Sequence, residues 1–156
     1  MSAFDPKRTF PRKLHDMQSF EVWEPLPDAP DFLHGAWVLH LGTNHLLVVC
    51  DGHFRNGKCP VLVFGPVESI QIHDDTLPTW DPQLAATQPG GRPFLKVANS
   101  AWAQKVGAFR GPLSHYCILS GDCCVELLSE HSPQVRWTTA AEIESLFGAG
   151  LDLGGG

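Results

Sequence analysis

Three groups of side chains in the 156-residue chain have types and spacings that could do chemistry. The first lies between Ser114 and Ser129, where His115 and Cys117 are two residues apart and Glu126 follows beyond a Gly121-Asp122 turn. A strand projects residues i and i+2 to one face, so a hairpin here sets the imidazole beside the thiol. Closing it with a two-residue turn pairs Ser120 with Cys123, Cys117 with Glu126 and His115 with Leu128. A histidine lowers a neighbouring thiol's pKa and a carboxylate orients the histidine, which is the requirement for a thiol nucleophile. The competing reading is structural, because a mid-strand cysteine is usually core.

The second group is Cys50, His53 and Cys59, with His40 or His45 as a fourth donor from the preceding hairpin. Zinc takes such nitrogen and sulfur ligands tetrahedrally. The Cys-x2-His-x5-Cys spacing matches no strong zinc signature, and a buried strand cysteine next to an exposed loop histidine explains the residues better, so no metal is expected. The third group is Asp74, Asp75 and Trp80, at the start of a long proline-rich connection. Two loop carboxylates could hold a divalent cation or, with an aromatic anchor, meet a basic partner. The vicinal Cys123 and Cys124 point to opposite strand faces. Ser114-His115 lacks the Gly-x-Ser-x-Gly context of an activated serine, and no glycine loop is set to cradle phosphate. The expectation is no cofactor.

These groups need elements to hold them. Gly35 to Cys50 reads as a hairpin around Gly42-Thr43-Asn44, and Val61–Phe64 and Val67–His73 read as two strands paired across Gly65-Pro66. Residues 74–93 hold four prolines and form the longest loop, with one helical turn capped by Asp81. Phe94–Val97 is a strand. A helix over about 99–109 follows, with Trp102, Val106 and Phe109 on its packing face. Leu113–Ser120 and Cys123–Ser129 form a hairpin whose leading Gly121 suits a type II′ turn. Gln134–Thr138 continues that unit, and Thr139 with Glu142 makes a capping box for a helix over 140–147.

The expected fold is therefore α+β: a mainly antiparallel sheet with both helices on one side or end. The expected organisation is an N-terminal arm at 1–19, a single domain at 20–150 and a glycine-rich tail at 151–156.

Charge narrows the partner. Residues 1–20 carry four basic and two acidic side chains, while the rest carry seven basic and fifteen acidic ones. That acidic body repels nucleic-acid phosphates and anionic membranes and speeds encounter with a basic protein. No apolar run approaches the roughly 20 residues that span a bilayer. Five cysteines, an odd number at irregular spacing, fit a reducing cytoplasm.

The sequence thus favours a non-enzymatic cytoplasmic domain that binds, and could neutralise, a basic protein. Small acidic proteins that guard a cell against its own toxin share this character, a likeness of type with no motif behind it. The alternative is a small cysteine- or metal-dependent enzyme built on the residues above.

Overall fold

The computed structural model describes residues 17–42, 44–52, 54, 56–74 and 80–147. In chain order the elements are β1 (Ser19–Val22), β2 (Gly35–Leu41), β3 (His45–Asp51), β4 (Cys59–Phe64), β5 (Val67–Asp74), α1 (Pro82–Ala85), β6 (Phe94–Ala98), α2 (Ala101–Arg110), β7 (Ser114–Leu119), β8 (Cys123–Ser129), β9 (Gln134–Thr138) and α3 (Ala140–Phe147). The strands make two antiparallel sheets, a five-stranded one ordered β1-β6-β7-β8-β5 and a four-stranded one ordered β2-β3-β4-β9.

Alternation along the strands explains why the sheets stack. In β3, Leu46, Val48 and Cys50 enter the central core, whereas Leu47 and Val49 join a separate cluster on the outer face. In β7 and β8 the inward set is Tyr116, Ile118, Val125 and Leu127, and the outward set includes Cys117 and Cys124. The two inner faces meet in one apolar layer, with the Phe64 and Tyr116 rings in edge contact across it at 5.3 Å. Burial of that layer is the main driving force for folding.

The helices are not together. Ile143 of α3 packs on Leu47, Val49 and Val61 of the four-stranded sheet, while α2 lies on β7 of the five-stranded sheet, its Trp102 ring edge-on to His115 at 5.1 Å. Each sheet has an outer face with apolar side chains to cover, and one helix goes to each. The expectation of both helices on one side is corrected accordingly.

Three further expectations change. Strands β4 and β5 do not pair: β4 is flanked by β3 and β9, so both its hydrogen-bonding edges are used, and Gly65-Pro66 carries the chain across to pair β5 with β8. For the same reason β9 leaves the β7–β8 hairpin and joins the other sheet. The face of α2 is also different. Ala103 is its buried residue, Trp102 and Val106 are half-buried, and Phe109 is 88% exposed.

The β7–β8 register is the expected one, from Cys117 opposite Glu126 to His115 opposite Leu128. Gly121 serves it differently, because its φ is not positive and a type II′ turn is excluded. A Cβ at Gly121 would instead lie 2.9 Å from Phe32 Cζ, and its N–H donates to the Leu33 carbonyl at 2.8 Å. Thr139 and Glu142 exchange the two capping-box bonds at 2.8 and 3.3 Å, and Asp81 caps α1 with Pro82 at its start. The arm expected over 1–19 lies outside the described residues up to 16. Met17 and Gln18 lead into β1, which starts at Ser19. The 151–156 tail also lies outside them.

Candidate functional site

The outer face of the five-stranded sheet carries a buried acid. Glu126 is on β8 with Cys117 directly opposite on β7 and Gln71 directly opposite on β5. The diagonal neighbours on that face are His115 and His73, which is the distance at which long side chains meet. Both histidines bond the carboxylate through Nε2: His115 to Oε1 at 2.9 Å and His73 to Oε2 at 3.0 Å. The Trp80 indole N–H donates to Oε1 at 3.3 Å.

The network continues under α2. Ser100, the N-cap of α2, accepts the Ala103 N–H at 3.1 Å and lies 2.8 Å from His115 Nδ1. An ionised carboxylate accepts only. His115 therefore donates from Nε2 to Glu126, and its Nδ1 shares a hydrogen bond with the Ser100 hydroxyl. One turn of sequence, Asn99-Ser100-Ala101, both starts the helix and anchors the imidazole of a histidine on the strand below.

Burial by itself pushes the Glu126 carboxyl up, since Glu126 is only 4% exposed. The hydrogen bond and charge of His115, the Trp80 bond and the charge of His73 outweigh this and hold it below its ordinary 4.5. Glu126 is therefore an anion at neutral pH despite its burial. It forms the floor of a cleft of about 450 Å³ whose sides include Trp80, Trp102, Lys105 and Gln18. His73 is partly exposed there, and its Nδ1 has no hydrogen-bond partner among the described residues. The arrangement can present a negative charge to a guest in a cleft lined by two tryptophans.

Of the expected thiol trio, the fold brings His115 and Glu126 into contact but keeps the Cys117 sulfur elsewhere. Cys117 Sγ lies 3.6 Å from Cys124 Sγ in an apolar cluster with Phe20, Leu84 and Leu95. The hydrogen bond to Cys124, burial and the charges of Cys124 and Glu126 all push the Cys117 thiol well up, away from the thiolate a nucleophile needs.

The expected metal group is divided by its sheet. Cys50 points into the central core and donates to the Val48 carbonyl at 3.9 Å, while Cys59 packs on the outer cluster. Burial pushes both thiols up. His40 is exposed on edge strand β2, and His53 lies outside the described residues. No group of three potential metal ligands occurs among the described residues.

Trp80 is half-buried, edge-on to Phe20 at 4.7 Å, and lines the cleft. Asp74 ends β5 and Asp75 lies outside the described residues. Sequence reasoning missed His73, Ser100 and Trp102 as parts of the site. His73 could have been found had β5 been paired with β8, since that register sets it one diagonal step from Glu126.

No helix among the described residues is long and apolar enough to cross a membrane. Comparison with protein-family models, curated proteins and solved structures found no match for this chain.

Proposed function

We propose that this protein is a binding domain that takes a cationic side chain of a basic partner protein into the Glu126 cleft. The observation that carries this reading is the ionised, buried carboxylate at the bottom of an open cleft walled by Trp80 and Trp102. Its partly exposed neighbour His73 leaves an approach from the cleft, where a guanidinium or ammonium reaching Oε2 gains a charge-assisted hydrogen bond in a setting that water screens weakly. The acidic excess outside the first 20 residues supports a basic partner, and five free cysteines support a cytoplasmic place of work, as a neutralising protein would have.

Titration calorimetry with three capped tripeptides, Gly-Arg-Gly, Gly-Lys-Gly and Gly-Glu-Gly, tests the reading. Saturable binding of the first two, absent for the third and lost in Glu126→Gln, is the expected result. Equal heats for all three, or binding unchanged by Glu126→Gln, would remove the cleft from consideration.

The alternative, a cysteine- or metal-dependent enzyme, is supported only by the residue types at Cys117, Cys50 and Cys59. A cysteine that reacts faster than a free model thiol, or a metal that co-purifies, would revive it.

A further inference from the structure

We infer that Cys117 and Cys124 form an oxidisable dithiol beneath the cleft, and that closing it to a disulfide weakens binding at Glu126. The cross-link does not depend on the function proposed above; the effect on binding rests on it.

Three observations point the same way. The two sulfurs are 3.6 Å apart and face one another across adjacent strands. Each cysteine is directly opposite a residue of the site: Cys117 opposite Glu126 on β8, and Cys124 opposite His73 on β5. The lid over the pair is thin, because the outer face here is covered by the four-residue α1 through Leu84, with Trp80 and Phe20 beside it. Cys124 is the more accessible thiol at 5% exposure, against 0% for Cys117.

The pair is one step out of direct register, since Cys117 opposes Glu126 and Leu119 opposes Cys124. Diagonal cross-strand residues sit about 7–8 Å apart, whereas a disulfide wants its Cα atoms within about 4.4–6.8 Å and its sulfurs at about 2 Å. Closing the bond therefore draws β7 and β8 past one another. His115 rides on β7 and Glu126 on β8, so their 2.9 Å contact changes with the shift, and so does the 3.0 Å contact of Glu126 with His73 on β5. Cys123, by contrast, points inward to the Ala36 carbonyl at 3.3 Å and takes no part.

The oxidant is hydrogen peroxide, small and neutral enough to enter by a local opening of α1. The Cys124 thiolate attacks one peroxide oxygen, the O–O bond breaks, and a sulfenic acid forms as hydroxide leaves and takes up the thiol's proton to become water. The Cys117 sulfur then attacks the sulfenic sulfur, the S–O bond breaks, and a second water leaves with the Cys117 proton. Two thiols and one peroxide give one disulfide and two waters.

The test treats the folded protein with peroxide, alkylates the remaining thiols, and cleaves after Leu119 with chymotrypsin, which separates Cys117 from Cys124. The expected product is a Cys117–Cys124 cross-link, reversed by dithiothreitol. Gly-Arg-Gly affinity should fall about fivefold or more, the lower end of ordinary coupling between sites. The fall should be absent in Cys124→Ala and, where that variant binds poorly, in Cys117→Ala. Recovery of both cysteines as alkylated thiols, or a cross-link that uses Cys123, overturns the inference. A cross-link that leaves tripeptide affinity unchanged overturns its regulatory half. Failure of the reduced protein to bind any tripeptide counts against the cleft itself and leaves the cross-link to be judged by mass alone.

Discussion

A carboxylate removed from water is costly unless hydrogen bonds replace hydration, and Glu126 shows how few residues supply the replacement: His115, His73 and Trp80 reach its two oxygens from β7, β5 and the residue before the α1 cap. The consequence for stability has a definite sign. Its folded pKa is held below the ordinary 4.5, so the unfolded carboxyl takes a proton at higher pH than the folded one. The stabilisation is complete above that ordinary value and is lost as pH falls through the folded one. Urea melts should show wild type losing stability below about pH 4.5 more steeply than Glu126→Gln, with the variant less stable at pH 7 by about 1–3 kcal/mol. Parallel pH curves would mean that folding leaves the carboxyl's affinity for its proton unchanged, and a wild type that gains on the variant as pH falls would mean the carboxyl is protonated in the fold. Lys105 adds a second residue-scale prediction. It stands in the cleft wall as a resident positive charge, so Lys105→Gln should raise Gly-Arg-Gly affinity about two- to fivefold, the scale of an exposed charge pair. A lowered affinity would make Lys105 part of an anion site instead. From sequence alone, His115 and Glu126 were legible as a pair because hairpin register follows from the turn. Their third and fourth partners were not, because His73 and Ser100 arrive from strands and helices whose pairing is set by tertiary contacts.

At the scale of elements, α2 is the instructive case. Its bounds and N-cap follow from local chemistry, Asn99-Ser100 before it and Gly111 after it, with Gly111 at φ 103 where side chains are disfavoured. Its facing does not. Trp102, Val106 and Phe109 fall at helical spacing, yet the helix turns Ala103 to the sheet. The Ser100 hydroxyl, bonded to both the helix and His115, fixes that rotation. Chemical denaturation of two variants checks this. Phe109→Ser should change stability by no more than about 0.5 kcal/mol, as exposed sites do. Ala103→Leu should cost about 1–3 kcal/mol through overpacking. The reverse ranking would restore the amphipathic face read from the sequence. Strands β4 and β5 teach a related lesson. Each was legible as a strand, but a short Gly-Pro connection serves a hairpin or a sheet change equally well, and only the occupancy of both β4 edges decides it.

For the whole molecule, two stacked sheets leave two outer faces, and the chain treats them differently. Helix α3 puts Ile143 on an apolar cluster of one, while α2 covers a polar network on the other beside an open cleft. That asymmetry, with an acidic body around it, is the basis for expecting a basic partner at the five-stranded sheet. The attraction should fade as salt shortens the screening length from about 30 Å at 0.01 M to about 8 Å at 0.15 M. The central claim, that a cation reaches Glu126, is read most directly from the Trp80 indole N–H, which is bonded to that carboxylate. Its ¹H–¹⁵N signal, assigned with Trp80→Phe, should shift saturably on titration with methylguanidinium, less so at high salt, and not at all in Glu126→Gln. An indole signal that stays fixed in wild type, or that shifts equally in Glu126→Gln, would contradict the claim.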